Sequence, residues 1–329
     1  MTAYDVIGDV HGHVEKLESL LEKMDYERRD GAWRHRERIA VFVGDLIDRG
    51  PDQLATLRLV RSMVDGGSAQ VVLGNHEFNA VAWSTYDIKG GGYCRPHSTK
   101  NRRQHGDFLT EVVEGSERHD EWVAWFKTIP LWLELDELRV VHACWDRASM
   151  EVVAPMLSSS GSLTEELVIA ASLEPAHDMI KAGALTPYDA IENLLKGPEV
   201  SLGDGRGYLD KDDKPRRSAR FKWWDPKATT LDVGALIPPG VRSLDGDVFP
   251  PLEPTPIADQ VPAPYTDDTP VIFGHYWCNE EFEVLQPKTM CVDYSAAKGG
   301  PLVAYRWDGK SDLSPDKLIN RRVRSGTVT

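Results

Sequence analysis

Three apolar runs near the start of the chain, Ala3 to Ile7, Ile39 to Val43 and Gln70 to Leu73, each pass directly into a polar loop that contains glycine. The loops read Gly8-Asp9-Val10-His11-Gly12, Gly44-Asp45-Leu46-Ile47-Asp48-Arg49-Gly50 and Gly74-Asn75-His76-Glu77. Behind the first loop, Val14, Leu17, Leu20, Leu21 and Met24 recur at helical spacing, and behind the second so do Leu54, Leu57, Val60 and Val64. Strand alternating with helix predicts an α/β protein with a parallel sheet and helices packed on it. Ligands in such sheets bind at the carboxyl ends of the strands, so the three loops are expected to meet at one crevice.

Further on, Leu131 to Leu135 and Leu138 to Val141 read as a hairpin broken at Asp136-Glu137, and the second run ends in His142. Val271 to Gly274 ends in His275 and is expected to rejoin the first sheet; Met290 to Val292 and Leu302 to Arg306 are two more strand candidates. The stretch of roughly 130 residues between the two histidines is too long for a connecting loop. The expected organisation is therefore a main domain built from 1–145 and 271–329, with 146–270 inserted as a cap. That insertion reads as helical up to about residue 197, with Leu163, Leu167, Ala170 and Ala171 in register, and as an irregular proline-rich wrapping segment over 238–270. The Arg321-Arg322-Val323-Arg324 tail reads as a solvated end.

Metal-capable side chains stand just after five separate apolar runs: Asp9, His11, Asp45, Asn75, His142 and His275. Carboxylate and amide oxygens suit hard divalent ions and imidazole suits first-row transition metals, so the mixed set fits a first-row metal pair better than calcium. A structural zinc would show a cysteine-rich set, whereas Cys94, Cys144, Cys278 and Cys291 are scattered without any C-x-x-C spacing. A net charge of −14 argues against a nucleic-acid duplex as partner, and an anionic substrate would need a local positive centre, which bound metal supplies. No apolar stretch is long enough to span a bilayer, no basic-then-apolar leader opens the chain, and the cysteines suit a reducing compartment, so a cytoplasmic protein without membrane contact is expected.

GDVHG at 8–12, GDLIDRG at 44–50, GNHE at 74–77, His142 in VVHAC and His275 in FGHYW together resemble the calcineurin-like metallophosphoesterases, in particular their phosphoprotein phosphatase branch. FGHYW and CVDYSAAKGGPLVAYRW at 291–307 are most similar to bacterial diadenosine tetraphosphatases. The resemblance covers 3–145 and 271–307 and leaves out the insertion. It implies a four-layer αββα sandwich and a pair of divalent metal ions, with manganese expected and iron, zinc, cobalt or nickel compatible. Asp9 and His11 would hold the first ion, Asp45 would bridge, and Asn75, His142 and His275 would hold the second. Water activated between the ions would attack phosphorus in line. His76 would protonate the leaving oxygen with Asp48 keeping it cationic, and Arg49 would grip phosphate with its planar fork, Asn75 lying beside it. Glu77 is assigned to loop structure.

The chain departs from that pattern at Ala143-Cys144-Trp145, where a glycine pair is usual, and it has no clear second substrate arginine after Trp223-Trp224-Asp225-Pro226. Lys100, Arg102, Arg103 and Lys298 are the candidates to replace that arginine. Arg102 and Arg103 would bind outer phosphates of a nucleotide or form a solvated basic turn, and Tyr294 or Trp277 would stack a base or fill the core. Gly309-Lys310-Ser311 is not a phosphate-binding loop, because Ala304 stands where that motif requires glycine. The expected substrate is a diadenosine polyphosphate or related phosphorylated small molecule. A phosphoserine or phosphothreonine protein is the alternative enzyme reading, and a non-catalytic metal- or nucleotide-binding module is the alternative from another class. The state of association is open.

Overall fold

Along the first strand, β1 (Ala3–Ile7), successive side chains alternate between two apolar environments, which is the signature of a sheet buried on both faces. The computed structural model describes residues 2–174, 185–203, 205–210, 213–258, 260–278, 285–309 and 312–320. The Arg321 to Arg324 tail and two residues of the Gly309-Lys310-Ser311 triplet lie outside these.

In chain order, β1 is followed by α1 (Val14–Lys23), β2 (Arg38–Phe42), α2 (Gln53–Asp65), β3 (Ala69–Val71), α3 (Asn75–Ser84), α4 (Thr99–Val112) and α5 (Glu117–Thr128). The hairpin β4 (Trp132–Leu135) and β5 (Leu138–Val141) comes next, then α6 (Arg147–Val153), α7 (Glu165–Ser172) and α8 (Pro187–Lys196). Two small three-stranded sheets and a one-turn helix, Leu231–Gly234, lie within 199–243, and among the described residues 244–270 carries only isolated bridges such as Thr230 to Pro256. The chain closes through β6 (Val271–Phe273), β7 (Leu285–Gln286), β8 (Thr289–Cys291), β9 (Ala304–Trp307) and β10 (Leu318–Ile319).

Two five-stranded sheets result, ordered β10-β9-β1-β2-β3 and β7-β8-β6-β5-β4. In the first, β1, β2 and β3 run parallel, as the strand-helix alternation predicts, and β9 and β10 add an antiparallel edge. The strand leading to His275 does not rejoin this sheet. β6 lies parallel between β5 and β8 in the second sheet, where Ile272 pairs with Val140 and Met290, all three facing the inter-sheet core. It is β9 that returns to the first sheet, opposite β1.

The sheets pack face to face. Tyr4, Val6, Val41, Val43 and Val72 of the first meet Leu138, Val140, Ile272, Met290 and Val292 of the second, each a buried side chain worth about 1.5–3 kcal/mol. On the outer face of the first sheet, Ile7, Ala40 and Phe42 are covered by Leu17, Leu20 and Leu21 of α1 and Leu57, Val60 and Met63 of α2. Asp5 shares that side and is fully buried; Arg38 on β2 and Arg306 on β9 donate to it at 2.8 and 3.1 Å and tie β1 to both neighbours. On the outer face of the second sheet, the rings of Trp223 and Trp224 pack 4.8 and 5.4 Å from Phe273, and the Leu194 carbonyl of α8 accepts the N–H of Ala143 at 3.1 Å. The layers therefore run α, β, β, α, and residues within 146–270 supply the outermost one.

Candidate active site

The turns at the ends of β1 and β2 hold left-handed backbone at non-glycine residues, His11 at φ 47°, Asp45 at 50°, Asp48 at 67° and Arg49 at 71°, and His275 after β6 does so at 66°. Non-glycine residues rarely adopt such angles, and a cluster of them marks a built site. Glu77, in the first turn of α3, supplies the restraint. Its carboxylate accepts the backbone N–H groups of Asp45 at 2.9 Å, Leu46 at 2.8 Å, Ile47 at 3.3 Å and Gly74 at 3.1 Å. Burial, with the Asp45 charge beside it, pushes Glu77 up to about 7, while the N–H groups it accepts pull the other way. Gly74 must be glycine, since a Cβ there would lie 2.2 Å from the Asp45 nitrogen.

Within this frame the side chains form two three-residue groups that share Asp45: His11, Asp45 and His76, and Asp45, His142 and His275. Asp45 Oδ2 lies 3.6 Å from His11 Nε2, and its Oδ1 lies 3.4 Å from His142 Nε2. Burial opposes its charge, but the imidazoles of His142, His76, His11 and His275 outweigh it and hold the carboxyl well below the usual range. His11 Nδ1 donates to the Ile47 carbonyl at 2.8 Å and His142 Nδ1 to that of Val43 at 2.7 Å, so the tautomer these bonds select turns the lone pair of each Nε2 into the cluster. Burial, with Asp45 opposing, takes His11 down to about 3, and His275 is likewise held neutral by its burial and by neighbouring His142.

These donors fit a pair of divalent cations. His142 Nε2, with its lone pair forward, faces Asn75 Oδ1 at 3.1 Å; two acceptors that close are stabilised by a positive ion between them. Asp9 lies buried at the edge of this cluster; burial raises its pKa, and the Asp45 charge is close enough to add to that. It stands outside both three-residue groups, and its two oxygens are each 3.3 Å from the N–H of His275, with Gly274 leaving just enough room for them. His76, expected as a proton donor, stands beside His11 and Asp45.

His76 is also anchored from behind. Its Nδ1 is 2.5 Å from Asp48 Oδ2, and its backbone N–H donates to Asp45 Oδ1 at 3.0 Å. Burial disfavours its cation, yet Asp45 and Asp48 outweigh that and raise its pKa. Arg49 directs one terminal N–H to His11 Nε2 at 2.9 Å and the other to His76 Nε2 at 3.0 Å, so its fork sits at the mouth shared by both rings.

The outlying candidates are not brought to this cluster. Arg102 on α4 is paired with Glu114 at 2.6 Å and lies 5.1 Å over the Trp83 ring; Lys100 and Arg103 are on exposed positions of the same helix. An exposed pair of this kind holds little energy, but it occupies the guanidinium. Tyr294 packs against the apolar clusters of both faces, and Lys298 sits 3.5 Å over the half-exposed ring of Trp277.

Several residues escaped the sequence reading. Asp293 is buried beside Asp9 and accepts the N–H groups of Trp277 at 3.2 Å and Ser295 at 2.8 Å. Its position after the run Met290 to Val292 is the same strand-end signal that marks the other carboxylates. Gln53 accepts the Asp48 N–H at 2.6 Å, and His105 on α4 donates to Asp48 Oδ1 at 2.9 Å. Arg220 precedes Trp223-Trp224 where a counterpart was sought after them. It donates to the Gly197 carbonyl at 2.7 Å and helps to depress the pKa of His275.

A cavity of about 900 Å³ lies beyond Arg220 on this side, and none of the metal-capable side chains of the cluster lines it. Arg220 and Gly197 line it together with Trp145, Tyr188 and Tyr265, and Gly197 packs against Tyr276, the residue after His275. Trp145, which stands where a glycine is usual, therefore forms a wall of this cavity.

The comparisons with known proteins agree with this geometry. Residues 4–148 match the family described as calcineurin-like phosphoesterase. A protein of Janthinobacterium sp. (strain Marseille), named bis(5'-nucleosyl)-tetraphosphatase, symmetrical, is 30% identical over 310 residues, 92% of each chain. Proteins of the same name from Marinomonas sp. (strain MWYL1) and Vibrio parahaemolyticus are 26% and 27% identical, over 96% and 95% of this chain and 98% of each relative. With its sandwich, its carboxylates and imidazoles gathered at strand ends and relatives that match it along nearly its whole length, this chain belongs to the calcineurin-like phosphoesterase family and is a hydrolase.

Proposed function

We propose that the chain hydrolyses a phosphoanhydride bond of a dinucleoside polyphosphate with the help of two divalent cations. The observation that carries this is the sharing of Asp45 between two imidazole groups, which gives one carboxylate a different set of donors at each oxygen. His11, Asp45 and Asp9 would serve one ion and Asp45, Asn75, His142 and His275 the other, with manganese the expected metal. Two such ions, when bound, neutralise phosphate charge and make water a nucleophile near neutral pH.

The chain itself does the rest. Arg49 turns its two N–H groups to the oxygens of the phosphoryl group under attack. His76 passes the proton on Nε2 to the leaving oxygen as the P–O bond breaks and its electron pair stays on that oxygen, while Asp48 holds the ring in place. Water supplies the new oxygen on phosphorus. The cavity beyond Arg220 is large enough for a nucleoside, and the inserted residues 146–270 would act as a cap that shapes it. The names of the relatives favour the nucleotide over a phosphoprotein. Among the described residues no helix is long and apolar enough to cross a membrane.

The test is incubation with manganese and diadenosine tetraphosphate beside a phosphothreonine peptide. ADP as the sole nucleotide product supports the reading, and turnover of the peptide alone would replace it with the protein phosphatase reading.

A further inference from the structure

Asp48 is claimed by two histidines. His76 Nδ1 lies 2.5 Å from Oδ2, and His105 Nδ1 lies 2.9 Å from Oδ1 and 3.2 Å from Oδ2. All three side chains are buried, His105 at 1% exposure. Asp48 is itself a left-handed residue in a loop; its backbone is held by Gln53 and by the Gly50 N–H, but among the described residues the hydrogen bonds to its carboxylate come from His76 and His105. The restraint comes from α4, which is tied to the same segment through Glu111, the acceptor of the Gln53 and Leu54 N–H groups, and which delivers His105 from 57 residues away.

The surroundings of His105 make it specific to this task. Its ring leans on Trp83 at 6.0 Å and Phe108 at 4.9 Å, and its Nε2 is buried with no hydrogen-bond partner. A buried ring nitrogen left unpaired is costly, and a phenylalanine or leucine would fill the same space without that cost. The one polar contact on the other side of the ring goes to Asp48. It points the second lone-pair set of the carboxylate at α4 and leaves Oδ2 aimed at His76.

We propose that His105 is a positioning residue for the leaving-group step: through Asp48 it fixes the ring of His76 so that Nε2 faces the departing oxygen. This rests on the reading of His76 as the proton donor given above. His105 touches neither substrate nor any proposed metal ligand, so its effect should appear only where protonation of the leaving group limits the rate.

Leaving-group dependence in the manganese-loaded full chain tests this. His105→Gln keeps the bulk of the ring but places its amide nitrogen near the Nε2 position, away from Asp48, whereas His105→Asn places it near Nδ1. With His105→Gln, kcat for phenyl phosphate, whose leaving group is strongly basic, should fall about tenfold, and kcat for p-nitrophenyl phosphate, which needs little protonation, should fall less than about threefold. His105→Asn should recover the greater part of the loss. In a His76→Asn background, His105→Gln should cost nothing further, because both changes remove the same contribution.

Equal losses on the two esters, no rescue by asparagine, or an additive loss in the double variant would each overturn the proposal. His76→Asn alone separates the two ideas. If it shows the leaving-group dependence and His105→Gln does not, only the role of His105 falls. If His76→Asn lowers both esters alike, the reading of His76 falls and takes this one with it. Thermal midpoints of all variants, with and without manganese, identify any that have lost the fold, and the asparagine and glutamine pair remains informative because neither opens a cavity as alanine would.

Discussion

The carboxylate of Glu77 accepts the backbone N–H of Asp45 at 2.9 Å, so the helix that begins with Asn75 and His76 also clamps the turn that presents the shared carboxylate. One side chain thus couples two of the three ligand turns, and it does so without facing the cluster itself. Glu77→Gln keeps the shape but exchanges one oxygen for an amide donor that meets other donors. The variant should lose about 2–4 kcal/mol of unfolding free energy and bind manganese more weakly; denaturant titration with and without metal measures both.

Asp45 offers an oxygen to each imidazole group, so its loss should be felt at both ion positions. Asp45→Asn should lower metal content below two per chain and cut turnover by at least about 10²-fold. Metal analysis of the dialysed protein beside kcat provides the check, and a variant that keeps two metals and full activity would remove Asp45 from its bridging place.

Gly274 ends β6 where a Cβ would come within 2.2 Å of Asp9 Oδ1 and 2.7 Å of Val43 Cγ2. Gly274→Ala must therefore push the Asp9 carboxylate or the β2 end aside. A destabilisation of about 1–3 kcal/mol is expected from the overpacking, with manganese affinity reduced more than in variants of equal stability made elsewhere in the sheets. Isothermal titration against thermal midpoint separates the two effects.

Asp48 should leave a mark on acid stability. Burial raises its pKa, but the hydrogen bonds from His105 and His76 outweigh burial and hold the folded-state pKa well below that of the unfolded chain. The unfolded chain then takes up the proton first as pH falls, so the stabilisation from the Asp48 anion is complete above the ordinary carboxylate range and declines from about pH 4 downward. Metal-free wild type should exceed Asp48→Asn in thermal midpoint at pH 6, and the gap should narrow progressively below pH 4. A constant gap across that range would show that the charge is not what stabilises the wild type.

The local period of the chain determined a great deal. Strand and helix spacing located β1, β2, β3, the hairpin and the first two helices to within a residue or two, because a two-residue or a three-to-four-residue repeat of apolar side chains is set by neighbours along the chain. Polar side chains next to glycines at strand ends pointed to Asp9, His11, Asp45, Asn75, His76, His142 and His275 as one candidate cluster, since a side chain that follows directly from a strand has little freedom in where it points. Tertiary structure alone decided the rest. The sheet that receives β6 depends on which apolar faces close on one another, and Ile272 finds Val140 and Met290 across distances no local pattern reports. Asp9 turning to the His275 N–H, Glu77 spanning two turns, Arg102 held by Glu114, and His105 reaching Asp48 from α4 are likewise pairings of polar atoms brought together by packing. Hydrogen bonds act over about 3 Å in space and are indifferent to separation along the chain, so these partners become legible only once the helices and sheets are in place.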